Sequence, residues 1–317
     1  MCKRRRQSGF ALLMVLVLVM LAGVALAGLA RRSLIGAVQA RDAADAVQRE
    51  WAVRSARRTL LARPETLIDA AERGTDELGD PAEAYQNAPM PELRVACQMA
   101  GGRYEFVITD EQAKLNVNQL LPLPENEDLG RVIRRLPPRG LKDEASRLDP
   151  RPLDKNRRSV GGALSLPTIR AYGQLFDRPD PARLVGDDDK PSLVRSVTCW
   201  GDGKVNLRRA SSEVIMARCA DPLGRRTASL LIEARDQNPY DSLSDLLKRE
   251  DRIDAGKRAA VRQFVTDQST AHGLWIVAHQ GGRAWHHLAV KAQEPVPSRG
   301  AGGGLSQTET RTYTYAW

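Results

Sequence analysis

The chain has 317 residues, of which 42% are hydrophobic and 5% aromatic, which suits one large globular domain or two ordinary ones. Its formal net charge is +9, but Lys3 and Arg4–Arg6 precede an apolar segment, and subtracting those four leaves an unremarkable +5. The charge therefore gives little support for a nucleic-acid partner, and four cysteines are too few for a disulfide scaffold.

The first predicted element is an apolar helix over residues 10–30. Its twenty-one residues are enough to cross a bilayer at about 1.5 Å per residue, and they exceed the roughly 7–15 residues of a secretory signal core. The basic residues before this helix outnumber the pair Arg31 and Arg32 after it. The positive-inside rule then places the N-terminus in the cytoplasm and the body across the membrane, in the periplasm of a bacterium.

The same helix is expected to continue beyond the membrane. Residues 31–62 contain no proline and one glycine, and Pro64 marks a break or kink. The rod would have about fifty residues and a length of about 75 Å. Apolar side chains recur in it at spacings of three and four with charges between them, as in an amphipathic helix: Leu34, Ile35, Val38, Ala43, Ala44, Val47 and Trp51.

A short basic leader ending in Gly9, then Phe10, then an apolar helix that runs on as an amphipathic one, resembles type IV prepilins and type II secretion pseudopilins. The resemblance implies that a prepilin peptidase cuts between Gly9 and Phe10 and that the new N-terminus, Phe10, is methylated. Most such subunits have glutamate at the fifth mature position, where this chain has Met14. The K-type minor pseudopilins (the GspK family) characteristically lack that glutamate.

The free-energy cost of a carboxylate inside the bilayer suggests why a methionine stands at position 14. A charged side chain inside the bilayer costs about 2.5–3.5 kcal/mol unless a cation meets it. In pilin assemblies the proposed cation is the terminal amine of the neighbouring subunit, and a subunit at the tip has no neighbour beyond it. Met14 would remove that cost, although an ordinary membrane anchor would also lack a glutamate.

Two β-hairpins and a last strand are predicted further along. Apolar residues alternate with polar ones on both sides of Gly101–Gly102, and again on both sides of Gly281–Gly282. The alternation of Tyr313 and Tyr315 with threonines predicts a C-terminal edge strand. A helix followed by antiparallel strands is the plan of a pilin.

Two asparagine-containing stretches extend the resemblance to the K type. The first, DEQAKLNVNQL over residues 110–120, resembles a recurring stretch of that family. The second lies in VTCWGDGKVNLRRASSEVIMARC over residues 197–219, where Arg208 and Arg209 replace the second Asn and the Thr of the family pattern. Helices starting near Ser212, over residues 226–236 and after a capping Ser242 resemble a helix-hairpin-helix or SAM-like unit.

Helix-hairpin-helix units raise a DNA-binding alternative. Such units bind DNA phosphates through backbone amides at a glycine turn, and four arginines would reinforce this: Arg208, Arg209, Arg225 and Arg226. The usual turn contains Gly-hydrophobic-Gly, whereas this one has the single Gly224. Packing or partner contact is the favoured role.

Candidate metal ligands are few. Consecutive aspartates in GDDDKPS, namely Asp187, Asp188 and Asp189, offer oxygen ligands for calcium, but they lack an alternating D-x-D-x-D spacing. The acidic stretch that K-type pseudopilins associate with calcium is not found, so calcium is only what the resemblance implies and no cofactor is expected. Four histidines are interpreted as structural rather than metal-binding: His272, His279, His286 and His287.

The cysteines leave two interpretations open. In an oxidising compartment Cys199 and Cys219 could form a disulfide, which would leave Cys97 over. The alternative is that all three are small buried hydrophobic residues.

The sequence thus predicts an α+β fold in which a long N-terminal transmembrane and amphipathic helix packs on an antiparallel pilin-like sheet, with a large helical insertion between hairpins. The expected parts are a leader (1–9), a transmembrane helix (10–30), the rod and first hairpin (31–118), an inserted α-helical domain (119–268), and a returning hairpin with the edge strand (269–317).

The resemblance implies a non-enzymatic role as a divergent K-type minor pseudopilin. Such a subunit would sit at the tip of the type II secretion pseudopilus, anchored in the bacterial inner membrane, and would help to start assembly and export across the outer membrane. The implied partners are I- and J-type minor pseudopilins, secreted cargo and the prepilin peptidase. Two alternatives are a minor pilin of a type IV pilus or DNA-uptake system, and a membrane-anchored periplasmic protein unrelated to pili.

Overall fold

The computed structural model describes residues 7–75, 84–99, 102–120, 169–176, 179–186, 192–295 and 308–317. The chain divides into two compact units, Met1–Arg54 and Ser55–Trp317. The fold is α+β, as predicted, with one long apolar N-terminal helix and an antiparallel sheet.

Helix α1 runs from Gln7 to Leu60 without interruption. Its 54 residues correspond to about 81 Å at about 1.5 Å per residue. The prediction that the apolar segment and the amphipathic segment form one helix is therefore confirmed. Among the described residues it is the one helix long and apolar enough to cross a membrane, which is consistent with a single-pass anchor.

The predicted break at Pro64 is also confirmed. Helix α1 ends at Leu60, and helix α2, Pro64–Arg73, begins with that proline. Proline is tolerated at the first helical position because its missing N–H would have no partner there in any case. Residues Leu61, Ala62 and Arg63 form the turn between the two helices.

Five antiparallel strands form the main sheet in the order β1-β2-β7-β8-β9. Both predicted hairpins are confirmed, and so is the C-terminal edge strand. In the second hairpin Gln280 pairs with Arg283 across Gly281 and Gly282, whose φ values of 58° and 76° are the ones a tight turn requires. The strands are β1 (Glu92–Met99), β2 (Gly102–Asp110), β7 (Ala271–Gln280), β8 (Arg283–Pro295) and β9 (Thr308–Ala316).

A helical region lies between the two hairpins in the chain, as expected. Ser211 and Ser242 cap two of its helices by accepting hydrogen bonds from Val214 N and Asp245 N. The described helices are α3 (Tyr172–Leu175), α4 (Pro181–Val185), α5 (Ser212–Leu223), α6 (Arg225–Gln237), α7 (Leu243–Arg249) and α8 (Ala255–Phe264).

Two short parallel strand pairs, which the sequence interpretation missed, connect the helical region to the sheet. One pairs β3 (Leu115–Asn116) with β4 (Val197–Thr198), and the other pairs β5 (Val205–Asn206) with β6 (Val265–Thr266). Each pair brings together segments far apart in the sequence.

The helices and one face of the sheet share a single hydrophobic core. Trp275, Leu288 and Val290 of the sheet belong to the same cluster of buried side chains as Ile215 and Leu231 of the helices. The sheet therefore buries this face against the helical region, and the predicted domain boundaries themselves stay a prediction.

Candidate functional site

The residues predicted for processing lie at the start of α1. Phe10 and Met14 are four residues apart, so they share one face of the helix, and both are more than half exposed. Cleavage after Gly9 and methylation of Phe10 stay predictions.

The part of α1 beyond the apolar segment also exposes large apolar side chains. Leu34 and Val38 form one pair four residues apart, and Val47 and Trp51 form another; all four are more than half exposed. Val38 and Val47 are nine positions apart, which is about 2.5 turns at about 3.6 residues per turn. The two pairs therefore point to opposite sides of the helix, so these residues do not form the single apolar face expected of an amphipathic helix.

The first asparagine stretch is a hydrogen-bonding junction. Asn116 Nδ2 donates to the carbonyls of Trp200 and Gly201 at 3.0 and 3.1 Å, while its Oδ1 accepts from Asn118 N at 3.0 Å. Asn118 in turn bonds the backbone N–H and carbonyl of Ile169. These amides satisfy backbone groups that the short strands leave without partners.

The second stretch has the same geometry. Asn206 lies in β5 as Asn116 lies in β3, and its Oδ1 accepts from the N–H two residues on, Arg208 N, at 3.1 Å. Its Nδ2 donates to Asp110 Oδ2 and Ser269 Oγ, both at 2.8 Å. The two stretches thus share the bond from the N–H two residues on to the asparagine Oδ1, and we call them the first and the second copy.

The copies differ where Arg208 and Arg209 stand. Their guanidinium groups bind carboxylates of helix α2 and of Asp110, and together with His272 they form what we call the arginine–carboxylate cluster. Arg209 contacts Glu65 Oε1 at 2.7 Å, Asp69 Oδ1 at 2.8 Å, Glu72 Oε1 at 2.8 Å and Asp110 Oδ2 at 3.5 Å. Arg208 contacts Asp69 at 2.9 Å and also Glu72. His272 Nε2 lies 2.8 Å from Glu65 Oε2.

The cluster is a largely buried set of charges. The side chains of Arg209, Glu72 and Asp110 are fully buried, whereas those of Glu65 and Asp69 are about one-third exposed. Burial alone would lower the pKa of Arg209, but the hydrogen bond to Glu72 and the neighbouring carboxylates outweigh it and hold the pKa above its ordinary value. Arg209 is therefore charged in the folded protein.

Glu65 responds to the same contacts. Burial raises the pKa of its carboxyl group, but the hydrogen bond from His272 and the charge of Arg209 more than compensate, so the pKa lies below its ordinary value. The carboxylate form is thus the one that the fold stabilises.

Aromatic rings cover the outer side of Arg208. Its Cζ lies 4.7 Å from the ring centroid of Tyr85 and 4.8 Å from that of Tyr240, and the two rings stack on each other at 3.8 Å. The Tyr240 hydroxyl donates to the carbonyl of Asn87. The segment that carries Tyr85 and Asn87 is thereby fixed to the helical region.

These contacts bear directly on the DNA-binding alternative. Arg208 and Arg209 are engaged by carboxylates, so two of the four arginines that the alternative needs do not face solvent. Arg225 and Arg226 remain exposed at the start of α6, directly after Gly224, whose φ is 87°.

The cysteine pair does not form a disulfide in the structure. Cys199 and Cys219 are both buried free thiols, and Cys97 on β1 is a partly buried one. Burial raises the pKa of Cys219 to about 11 and that of Cys199 well above its usual value, with the nearby Glu111 adding to the latter. Of the two interpretations left open, the structure agrees for Cys199 and Cys219 with that of small buried hydrophobic residues.

The remaining metal candidates give no site among the described residues. Asp187, Asp188 and Asp189 lie outside the described ranges. Within those ranges no three His, Cys, Asp or Glu side chains come together in a way that could hold a metal ion. His272 contacts Glu65 in the cluster instead.

Comparisons with known proteins give one kind of match. No family model and no curated protein sequence matches the chain. Among solved structures, the chain is similar to a chain of the GspK–GspI–GspJ complex from the type 2 secretion system of enterotoxigenic Escherichia coli. The TM-score is 0.43, the sequence identity is 12%, and the likeness covers 88% of this chain and 99% of that one.

Sequence reasoning missed the arginine–carboxylate cluster, although part of its signal is visible. Glu65, Asp69 and Glu72 are spaced by four and three residues, which places all three carboxylates on one face of a helix. An acidic helix face with a buried member requires cations, and the adjacent pair Arg208 and Arg209 is a sequence feature that could supply them.

Proposed function

We propose that the protein is a minor pseudopilin of the K type, located at the tip of a type II secretion pseudopilus. The observation that carries the proposal is helix α1, which is apolar at its start and continues without a break into a segment that contains charged residues. A plain membrane anchor has no need of that extension. The basic leader before Phe10 and the antiparallel sheet that follows support the same role, which is non-enzymatic.

Met14 supports a position at the tip. At this point of α1 a glutamate would require a cation from a neighbouring subunit, and a terminal subunit has no neighbour on one side. A thioether has no such requirement. The subunit would be held in the inner membrane before assembly, with its N-terminus cytoplasmic and its body periplasmic.

The exposed apolar pairs on α1 support contact with more than one helix. Leu34 and Val38 lie on the side opposite to Val47 and Trp51, so a single neighbouring helix would cover only one pair. I- and J-type minor pseudopilins are the partners that the proposal names. Packing of the three subunits against each other would start pseudopilus assembly, and assembly would in turn support protein export.

The N-terminus of the mature protein tests the proposal. The full chain is expressed with and without a prepilin peptidase, and its N-terminal peptide is measured by mass spectrometry. We expect loss of residues 1–9 and a methylated Phe10 only when the peptidase is present. Gly9→Val should abolish the cleavage, whereas Ser8→Ala is the matched control and should leave it intact. The same uncut N-terminus in both strains would contradict the proposal.

Partner binding is tested separately by copurification of the full chain with I- and J-type subunits from membranes. Val47→Ser together with Trp51→Ser should reduce recovery of one partner, because it removes one apolar side of α1. Arg58→Ser, an exposed change on the same helix, is the control. Equal recovery with both variants would argue against the packing proposed here.

A second candidate, a DNA-uptake minor pilin, is favoured by one observation. Arg225 and Arg226, both exposed, are the first two residues of α6 and directly follow Gly224. The N-terminus of a helix with basic side chains beside it can bind a phosphate. Salt-sensitive binding of duplex DNA by the full chain, lost in Arg225→Gln with Arg226→Gln, would favour this candidate over the first.

A further inference from the structure

Helix α2 is bound to the body by several charged side chains, in addition to backbone bonds from Gln86 and Asn87 to the carbonyl of Glu72. The apolar side chains that it buries are Pro64 and Ile68, and its third buried residue is Glu72. Three of its ten residues, Glu65, Asp69 and Glu72, bind Arg208 or Arg209. Because an isolated helix of ten residues is marginal in water, α2 depends on these contacts for its order.

Helix α2 lies next to the end of the long helix α1 in the chain. Only the turn Leu61–Arg63 separates α2 from the long helix α1. Lys291 of β8 donates to the carbonyls of Leu61 and Ala62 at 3.3 and 3.2 Å, which are weak contacts. Together with the buried side chains of Ala56 and Leu61, the charged face of α2 therefore attaches the body next to the end of α1.

The partner of α2 lies in the helical region as well as in the sheet. Arg208 and Arg209 lie shortly before helix α5, which begins at Ser212, while Asp110 and His272 belong to the sheet. Four carboxylates face two guanidinium groups in the cluster, so the balance of charge depends on both arginines at once. Loss of the arginines would leave buried carboxylates without these cations, and opening of α2 would relieve this for the three that α2 carries, Glu65, Asp69 and Glu72.

We propose that α2 is an ionic latch: it docks on Arg208 and Arg209 through charge and opens as a unit while the sheet and the helical core stay folded. Under the proposed function this latch would lie on the path by which a pull on the membrane helix reaches the body. The role of α2 in transmitting a pull rests on the proposed function, whereas the opening of α2 as a separate unit is independent of it.

Hydrogen exchange measured by mass spectrometry on the full chain in detergent tests the latch. The variant is Arg208→Gln with Arg209→Gln, and the matched control is Arg225→Gln with Arg226→Gln, an exposed pair on α6. We expect amides of α2 to exchange about tenfold or more faster in the variant, with those of β7 and β8 within about twofold of the wild type. In the wild type, 1 M salt should speed exchange in α2 more than in β7, since the cluster is partly exposed.

Two results would overturn the proposal. Acceleration of α2, β7 and β8 by one common factor would mean that α2 opens only when the whole body unfolds. Unchanged exchange in α2 would mean that charge does not hold it. Should the double variant fail to fold, Asp69→Asn removes a one-third-exposed carboxylate and should give the same pattern at smaller amplitude. An unprocessed N-terminus would count against the proposed function and leave this measurement unaffected.

Discussion

Replacement of Asn206 by alanine tests whether the second asparagine stretch holds the helical region to the sheet. The side chain is fully buried and makes three hydrogen bonds, to Asp110, Ser269 and the N–H of Arg208. A bond to a charged group contributes about 1.5–3 kcal/mol, and each neutral bond contributes about 1 kcal/mol. The expected loss in free energy of unfolding is therefore about 3.5–5 kcal/mol.

The aspartate variant sharpens the same test. Asn206→Asp has nearly the same shape but puts a second carboxylate in the place of an amide nitrogen 2.8 Å from Asp110. Like charges at that separation raise the pKa of one of the two groups. The variant should be less stable than Asn206→Ala at neutral pH, and the difference should shrink as the pH falls and the pair takes up a proton.

Urea unfolding of the full chain in detergent, followed by tryptophan fluorescence, measures the effect because Trp200 and Trp275 are buried. Asn87→Ala is the matched control: it removes one exposed bond, to the carbonyl of Ala71, and should cost less than about 1 kcal/mol. A loss for Asn206→Ala no larger than that of the control would refute the role assigned to this side chain.

Three further predictions follow from the structure. The pKa of Glu65 is lowered in the folded state, so its contribution to stability is present above the ordinary pKa and is lost as the pH falls through the lowered pKa. Glu65→Gln should therefore reduce the loss of stability at acidic pH, as measured by urea unfolding at a series of pH values. Timed alkylation with peptide mapping should label Cys97 before Cys199, whose thiol pKa is raised by burial; faster labelling of Cys199 would contradict its placement. Gly282→Ala should lower the free energy of unfolding by about 1–2 kcal/mol because the φ of Gly282 is 76°. Gly256→Ala in helix α8 should raise it by about 0.5–1 kcal/mol. Equal effects of the two variants would argue against the tight turn at Gly281 and Gly282.

The elements that could be predicted from the sequence are those whose pattern is local. Helix α1 follows from an uncharged run and its amphipathic continuation, and the break follows from Pro64. Both hairpins follow from alternation around paired glycines. Each of these signals lies within a few residues of the feature that it specifies.

The parts that could not be predicted depend on contacts between distant segments. The strand pair β5–β6 joins residues about sixty positions apart, and two-residue strands leave no periodic signal. The cluster joins α2 to Arg209, about 140 positions away. Nothing local distinguishes an arginine that will be buried by carboxylates from one that will face a phosphate, so the DNA-binding alternative treated all four arginines alike.

The arginine–carboxylate cluster explains how the chain accommodates its departure from the asparagine pattern. Asn118 of the first copy bonds backbone groups nearby, but a guanidinium at the equivalent place, Arg208, is too large and too charged for such partners. A buried cation is stable only with an anion close to it, and helix α2 supplies carboxylates at the spacing of one helical face. The departure at Arg208 and Arg209 and the acidic face of α2 are therefore matched in charge, and their contacts hold α2, which follows the end of the long helix, on the body.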